Sequence, residues 1–319
     1  MAVWRPLRLA ARRARGSAAT ALLALAGVAG MTTAAGAATA AQGGLARWSG
    51  RHAVTCALGA KRYPAVAGVC YYPVDIRARV GHHPISLWDA KGAKHTAVLD
   101  VQETTFPSVT LQLPPTLSRY VEVSPEDAAR ATKEGVEVAH ALRGEPGPAQ
   151  FTLPLGKPAA TLPKSQDDFG SERNFGAAHP SLHTGRDYPV SVHSPVKALA
   201  AGRVVLAGDE FYSGGSVYID HGDGLVTMYF HLETMTVKTG DVVRRGQTIG
   251  KVGATGRATG PHLHLGARWL GRRIDPALLL DAPGKLPAIA DSEAVAEKKI
   301  GAEESKEPPE TDIPTDVGD

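Results

Sequence analysis

The stretch GPHLHLGARW, residues 260–269, carries two histidines in a segment that alternates like a β-strand. Residues two apart in a strand point to the same face and lie about 6–7 Å from each other, so His262 and His264 should look into one cleft. Leu263 and Leu265 take the opposite face, where they would hold the strand against a core. The stretch therefore predicts a strand that presents a pair of imidazoles to a cleft.

Two further segments supply side chains of the same kind. His183 and Asp187 are four residues apart, so they share a face in extended chain and also in a helix, although Gly185 suggests a bend between them. His231 stands alone in YFHL, residues 229–232. Zinc in a catalytic site takes three protein ligands from His, Cys, Asp or Glu and keeps a fourth position open. Each residue alone would be read as structural, but the three segments together predict a zinc site.

These motifs resemble the lysostaphin/LytM-type zinc metallopeptidases, which cut peptide bonds in bacterial peptidoglycan. The resemblance covers roughly residues 169–280 and includes GKVGATG at 250–256 and RIDP at 273–276. It implies one Zn²⁺ per catalytic domain and an all-β fold for that domain. By this resemblance the zinc ligands are His183, Asp187 and His264, and the unliganded catalytic pair is His231 and His262.

The resemblance leaves open which histidine moves which proton. The chain has no His-Glu-x-x-His motif, so the intervening Glu that serves as base in many zinc proteases is absent. Neutral His262, next to the ligand His264, is the first choice as general base. His231 would then donate to the developing oxyanion or reprotonate the leaving amine. The sequence allows these two roles to be exchanged.

The rest of the chain is predicted to be mainly β, with a small N-terminal antiparallel domain before the all-β metallopeptidase domain. Alternation at residues 74–80 and 109–113 predicts half-buried strands, and Ser124-Pro125 predicts the start of a helix that ends near Gly135. Glycine-punctuated apolar runs predict strands at 202–207, 217–220, 225–231 and 263–269. The predicted limits are a signal peptide at 1–41, an N-terminal β domain at 42–143, a linker at 144–167, a zinc metallopeptidase domain at 168–282 and a disordered acidic tail at 283–319.

The first 41 residues have the layout of a secretory signal, with five arginines, a short apolar run and then small residues. The apolar run is too short for a membrane span, so we expect cleavage and no permanent anchor. Without those arginines the formal charge of +3 becomes −2, so the composition gives no reason to expect nucleic-acid binding. In an exported protein the two cysteines, Cys56 and Cys70, are expected to form a disulfide, the alternative being two buried thiols.

The sequence thus predicts an exported zinc endopeptidase that is periplasmic, or extracellular and associated with the cell wall. Its predicted partner is peptidoglycan, with other cell-wall proteins as further candidate partners. Two other functions stay open: a non-catalytic module that binds wall or activates other wall hydrolases, and a peptidase for soluble proteins.

Overall fold

The structure is a computed structural model that describes residues 38–143, 147–165, 168–176 and 180–290. Within these ranges strands dominate, and none of the helices is both long and apolar enough to cross a bilayer. The mainly β prediction is therefore confirmed. Most of the predicted signal peptide and most of the predicted acidic tail lie outside the described residues.

The described part of the N-terminal region, before residue 144, contains eight strands and the longer helix. The strands are β1 (Ala38–Ala41), β2 (Leu45–Trp48), β3 (Ala53–Leu58), β4 (Lys61–Pro64), β5 (Cys70–Pro73), β6 (Gly81–Asp89), β7 (Lys94–Gln102) and β8 (Ser108–Thr110). A 3₁₀ turn at Pro115–Tyr120 precedes helix α1 (Pro125–Ala141).

The later part of the chain continues with shorter strands around three long ones. They are β9 (Glu172–Asn174), β10 (Ser181–Leu182), β11 (Gly185–Tyr188), β12 (Pro195–Lys197), β13 (Gly202–Glu210), β14 (Gly214–Asp220), β15 (Leu225–Met235), β16 (Val242–Val243), β17 (Thr248–Val252), β18 (Leu263–Trp269) and β19 (Arg272–Arg273). Helix α2 (Ala277–Leu280), a 3₁₀ turn at Pro283–Lys285 and strand β20 (Ala288–Ile289) follow.

The site-bearing strands belong to a nine-stranded sheet with the order β11-β18-β15-β14-β13-β16. Strand β17 pairs with both β15 and β12, and β19 pairs with β18. The four strands predicted from glycine-punctuated apolar runs are all present here, and β18 has the predicted bounds. Its central position between β11 and β15 decides which side chains can meet.

The N-terminal strands form a five-stranded sheet, β1-β7-β6-β3-β4, and a three-stranded sheet, β20-β2-β5. The Cys56–Cys70 disulfide joins β3 to β5 and so ties these sheets together, with 5.5 Å between the two Cα atoms. The predicted disulfide is confirmed. A third small sheet, β10-β9-β8, pairs a strand of the N-terminal region with strands that precede the candidate site.

A large hydrophobic core runs through the described part of the chain, and a smaller cluster packs helix α1 against strands β14 and β15. Tyr71 of β5 packs against Trp269 of β18, with 5.4 Å between ring centroids, and Phe151 packs on the same indole. Buried side chains of the N-terminal sheets therefore pack directly against buried side chains of the nine-stranded sheet. The predicted limits of the N-terminal domain, the linker and the metallopeptidase domain stay a prediction.

Three local predictions are wrong. Residues 74–80 do not form a strand, because the Asp75 carboxylate accepts the Arg77 backbone N–H and pairs with Arg273, which turns the chain. Only 108–110 of the second alternating segment is a strand, and its side chains are exposed. Helix α1 begins as predicted, with the Ser124 hydroxyl accepting the Asp127 N–H, but it continues to Ala141 because Gly135 is packed inside it.

The boundaries of the predicted signal and tail also need correction where they are described. Residues 38–41, placed at the end of the signal, form β1, which pairs in parallel with β7 and buries Ala38 and Ala40. Residues 283–290, placed at the start of a disordered tail, are ordered. They contain β20, and Leu286 and Ile289 are buried in the core.

Candidate active site

Strand β18 places His264 at the centre of the site. In the antiparallel register His264 lies opposite Asp187 of β11 on one side and opposite Phe230 of β15 on the other. Gly185 permits this close approach, because a Cβ atom there would lie 2.3 Å from His264 Nε2. Asp187 and His264 are therefore neighbours because of strand pairing, although 77 residues separate them.

Three side-chain atoms converge at this point. His183 Nε2 lies 3.0 Å from His264 Nδ1, and Asp187 Oδ1 lies 3.0 Å from His264 Nδ1 and 3.2 Å from His183 Nε2. All three residues are buried. Burial would raise the pKa of Asp187, but the neighbouring His183 and His264 outweigh it and hold that pKa well below its usual range. The carboxylate is therefore ionised.

The atoms not directed at this point are engaged by other groups. His183 Nδ1 lies 3.0 Å from the carbonyl oxygen of Asp168, and because a carbonyl only accepts, Nδ1 carries the proton and Nε2 keeps its lone pair. Asp187 Oδ2 accepts a hydrogen bond of 2.7 Å from Arg173 Nη2. These outer contacts aim one nitrogen of His183 and one oxygen of Asp187 inward.

The convergent donors fit a zinc ion. Two imidazole nitrogens and one carboxylate oxygen are ligands that catalytic zinc takes. Their separations of 3.0–3.2 Å are close to the about 3.3 Å between ligand atoms on tetrahedral zinc with bonds of about 2.0–2.1 Å. The set His183, Asp187 and His264 is the one such group in the described chain that could hold a metal.

The two other predicted histidines face this group. The rings of His231 and His262 lie 4.7 Å apart, and those of His231 and His264 lie 6.1 Å apart. His262 Nε2 lies 3.6 Å from Asp187 Oδ1. The structure thus brings all five predicted site residues together, including His183.

The backbone sets the tautomer of both histidines. His231 Nδ1 lies 2.8 Å from the carbonyl oxygen of Thr255, and His262 Nδ1 lies 2.8 Å from that of Gly260. Both Nδ1 atoms therefore donate, and in the neutral ring each Nε2 is an acceptor. Two proton acceptors consequently flank the convergent ligand atoms.

The local backbone turns His231 toward the site. Its φ of 61° is in the left-handed region, which is uncommon for residues other than glycine, and it coincides with irregular pairing of β15 with β14 and β17. The His231 N–H donates to the Ser213 carbonyl, and its own carbonyl accepts from Gly253. Burial, with the nearby His262 and His264, lowers the pKa of His231 well below its usual value. The ring is therefore neutral at physiological pH.

Several residues around the site were missed by the sequence analysis. Arg173 and Asp168 contact the candidate ligands, and Phe230 stacks on His264 with 5.0 Å between centroids and 7° between planes. No spacing rule links the first two to the ligands. Strand alternation would place Phe230 on the face opposite His231, and both reach the site because the backbone at His231 departs from regular strand geometry.

One histidine prediction is wrong. His221 was expected to be solvated in the turn that joins β14 to β15, but it is fully buried. Its two ring nitrogens lie 2.7 Å from the Ala201 carbonyl oxygen and 2.7 Å from Thr227 Oγ1. Burial lowers the pKa of His221 to about 4. It is a structural core residue.

Comparison with known proteins places this site in a recognised domain. Residues 181–276 match the model of peptidase family M23. A DD-carboxypeptidase/endopeptidase, Mpg, of Neisseria meningitidis is 40% identical over 122 residues, which cover 38% of this chain and 28% of that protein. The peptidoglycan DD-endopeptidase ShyC of Vibrio cholerae is 46% identical over 82 residues, or 26% of this chain and 19% of that protein. The chain thus spans less than a third of the length of either relative.

The similarity to one solved structure extends beyond the matched segment. A crystal structure from Pseudomonas aeruginosa, described as an M23 peptidase, has a TM-score of 0.57 and 29% sequence identity. The matched region covers 75% of this chain and 94% of the Pseudomonas aeruginosa chain. These matches confirm the resemblance drawn from the sequence motifs.

Proposed function

We propose, because the C-terminal part of this chain carries an M23 peptidase domain at residues 181–276, that the protein is an exported zinc metalloendopeptidase that hydrolyses peptide bonds in peptidoglycan. The observation that carries the proposal is the convergence of His183, Asp187 and His264 with two further imidazoles beside them. A non-catalytic wall-binding module has no need for this arrangement.

We propose that His183, Asp187 and His264 hold the zinc ion through Nε2, Oδ1 and Nδ1. When bound, zinc supplies a water whose pKa is lowered to about 7 and a Lewis acid for the scissile carbonyl oxygen. Arg173 orients the carboxylate of Asp187, and the Asp168 carbonyl orients the ring of His183. The chain's remaining task is to move one proton.

We assign that proton transfer to His231 and His262. The attacking water must lose a proton and the leaving amine nitrogen must gain one, so a single histidine that accepts and then donates balances the reaction. Both Nε2 atoms can accept. Burial lowers the pKa of His231, so its ring is neutral but a weak base. The partly exposed His262, whose Nε2 lies 3.6 Å from Asp187 Oδ1, is therefore favoured as the acceptor, as first expected from the sequence, and His231 Nε2 can accept a hydrogen bond from the leaving amine.

We further propose that the substrate bond joins two D-amino acids in peptidoglycan cross-links. The support comes from the names of the two curated relatives, both of which are described as acting on DD bonds. The predicted signal segment supports export to the compartment that contains this substrate, and peptidoglycan is the proposed partner.

The test is zymography of the full chain on purified cell wall, with and without a chelator. We expect clearing that the chelator abolishes and added zinc restores, and no clearing by the His264→Ala variant. Mass spectrometry of the released muropeptides should show new ends at D-residues. Absence of clearing at every zinc concentration would support the non-catalytic module, and cleavage of casein with the wall untouched would support a peptidase for soluble proteins.

A further inference from the structure

Arg173 of β9 lies beside the candidate metal site, and 13% of its side chain is exposed. Its Nη2 atom lies 2.7 Å from Asp187 Oδ2 and also 2.7 Å from Asp168 Oδ2. A guanidinium nitrogen carries two hydrogens, so this one atom can donate to both carboxylates. Arg173 therefore ties a candidate zinc ligand to a second acidic residue.

This contact decides which oxygen of Asp187 faces the other ligands. Oδ2 is held by Arg173, so Oδ1 is the oxygen that lies within 3.2 Å of His183 Nε2 and His264 Nδ1. Without the guanidinium the carboxylate could rotate about its terminal bond and lose this orientation. The charge of Arg173 also offsets the second carboxylate, Asp168, which would otherwise repel Asp187.

Asp168 links Arg173 to the second candidate ligand, His183. Its backbone carbonyl accepts the hydrogen bond from His183 Nδ1 at 3.0 Å, and its carboxylate is bound by Arg173. One arginine thus stabilises the orientation of Asp187 directly and that of His183 through Asp168.

The strand that carries Arg173 is itself held by the N-terminal region. Strand β8 pairs in parallel with β9, so that Val109 lies opposite Arg173. The Glu172 N–H donates to the Pro107 carbonyl and the Leu111 N–H donates to the Asn174 carbonyl, both at 2.8 Å. We call residues 106–111 the β8 segment.

Packing adds to these hydrogen bonds. The ring of Phe106 lies so close to Gly170 that a Cβ atom there would come within 2.0 Å of it, and Phe106 and Phe169 make an edge contact at 6.4 Å. The β8 segment therefore contacts both residues 169–170, through Phe106, and strand β9, through backbone pairing.

We propose that Arg173 is a positioning residue for the zinc ligands Asp187 and His183, and that the β8 segment of the N-terminal region holds Arg173 in place. The inference rests on the proposed function only in treating this site as a metal site. It gives the N-terminal region a direct part in the organisation of the catalytic centre.

The test measures metal affinity in the full chain by competition with a chelator, together with the visible absorption spectrum of the Co²⁺-substituted protein. We expect Arg173→Gln to weaken zinc binding about 10- to 100-fold and to change the Co²⁺ spectrum. Arg173→Lys, which keeps the charge and can still donate, should recover part of the affinity. Activity is not needed for either readout.

The matched control is Arg273→Gln, which removes a similarly buried ion pair, between Arg273 and Asp75 at 3.0 Å. This variant should lower stability and leave zinc affinity within about twofold, because Arg273 lies opposite Arg268, four residues along β18 from His264, and sites more than about 10 Å apart usually act independently. Equal loss of affinity in both variants, or unchanged affinity and spectrum in Arg173→Gln, would overturn the role of Arg173. A wild-type protein that binds no metal would instead overturn the proposed function.

The role of the β8 segment is tested separately with Leu111→Pro, which deletes the N–H that bonds to Asn174. We expect weaker zinc binding and the same kind of change in the Co²⁺ spectrum as in Arg173→Gln. Leu113→Pro places proline just beyond β8 and serves as the control. Normal zinc binding by a folded Leu111→Pro protein would limit the support to Arg173 alone and contradict the second half of the proposal.

Discussion

His264 is closely confined by its neighbours. Phe230 stacks on its ring, and Gly185 leaves the space that His264 Nε2 requires. The stacking fixes the plane of the imidazole, and the contacts of Nδ1 with His183 and Asp187 fix which ring nitrogen faces them. Rigid placement of this kind is what a metal ligand needs, because the geometry of the site must exist before the ion arrives.

The candidate ligands and the candidate catalytic pair should respond differently to truncation. His264→Ala should abolish both zinc binding and activity, because one of three ligand atoms is removed. His262→Ala should keep the metal and lose rate by about 10²- to 10⁴-fold, the usual contribution of general acid–base catalysis. Metal content by elemental analysis and hydrolysis rates on purified wall measure the two effects.

His231→Ala is expected to behave like His262→Ala, with zinc retained. A His262→Ala protein without zinc would show that ligand and catalytic residue have been interchanged. Loss of metal in both the His231 and the His262 variants would contradict the division of roles altogether.

Sequence reasoning finds site residues when they stand in short motifs. His262 and His264 were identified from strand alternation, and the roles of His183, Asp187 and His231 followed from the resemblance to a family. Arg173 could not be found in this way, since its contact with Asp187 arises from two strands in different sheets.

At the scale of elements, the turn between β14 and β15 contains a buried carboxylate. Asp223 is 5% exposed, and neither of its carboxylate oxygens has a hydrogen-bond partner among the groups that the structure describes. Burial raises the pKa of Asp223 to about 7. The folded turn therefore prefers the neutral carboxyl group, and ionisation at higher pH should destabilise the fold.

Asp223→Asn should raise the free energy of unfolding at pH 7.5 by on the order of 1–3 kcal/mol, because the amide has the shape of the carboxyl group but never carries the charge that is costly to bury. The folded-state pKa lies above the usual 3.8, so the stabilising effect of the neutral acid is complete below about pH 4 and is lost as the pH rises to about 7. The gain from Asn should follow that window and be small at pH 4.

Chemical denaturation of both proteins at pH 4 and pH 7.5 checks this prediction. The buried His221, whose pKa is lowered to about 4, is present in both and cancels in the difference. A gain that is equal at the two pH values, or a loss at pH 7.5, would show that the Asp223 carboxylate is not destabilised by burial.

The elements could be predicted where local pattern and tertiary environment agree. Strand β18 was predicted with its bounds, because its alternating side chains are buried on the core side. Residues 74–80 alternate equally well, yet the contact of Asp75 with Arg273, 198 residues away, turns them into a loop. Gly135 predicted the end of the helix because glycine has a low helix propensity. In the structure Gly135 is buried inside α1, where tertiary packing outweighs that propensity.

At the scale of the whole molecule, the N-terminal sheets and the nine-stranded sheet share a core. The disulfide lies on the N-terminal side of that core, and both of its cysteines are fully buried. It closes a loop with a sequence separation of 14 residues. Its effect should therefore be on the stability of the shared core and not on the site itself.

Replacement of both cysteines by alanine should lower the free energy of unfolding by about 3 kcal/mol, as expected for a loop of this length. Denaturant titrations of the variant and the oxidised wild type give the difference, and reduced wild type is the control. Zinc affinity should stay unchanged at 25 °C. A variant as stable as the oxidised protein would show that the crosslink contributes nothing, and weaker zinc binding in a folded variant would show that it reaches the site.

Strand β20 carries the chain back from the nine-stranded sheet to β2, where Arg47 donates its N–H to the Pro287 carbonyl and Ile289 is buried. The three-stranded sheet β20-β2-β5 is thus completed by a strand that follows the nine-stranded sheet in the sequence. A fragment that stops at residue 282 would leave one edge of β2 unpaired and expose the apolar surface that Leu286 and Ile289 cover. Unpaired strand edges of this kind promote self-association. Separate expression of the two parts of this protein should therefore give fragments that aggregate. A circular permutant that keeps β20 connected to β2 would retain the β2–β20 pairing.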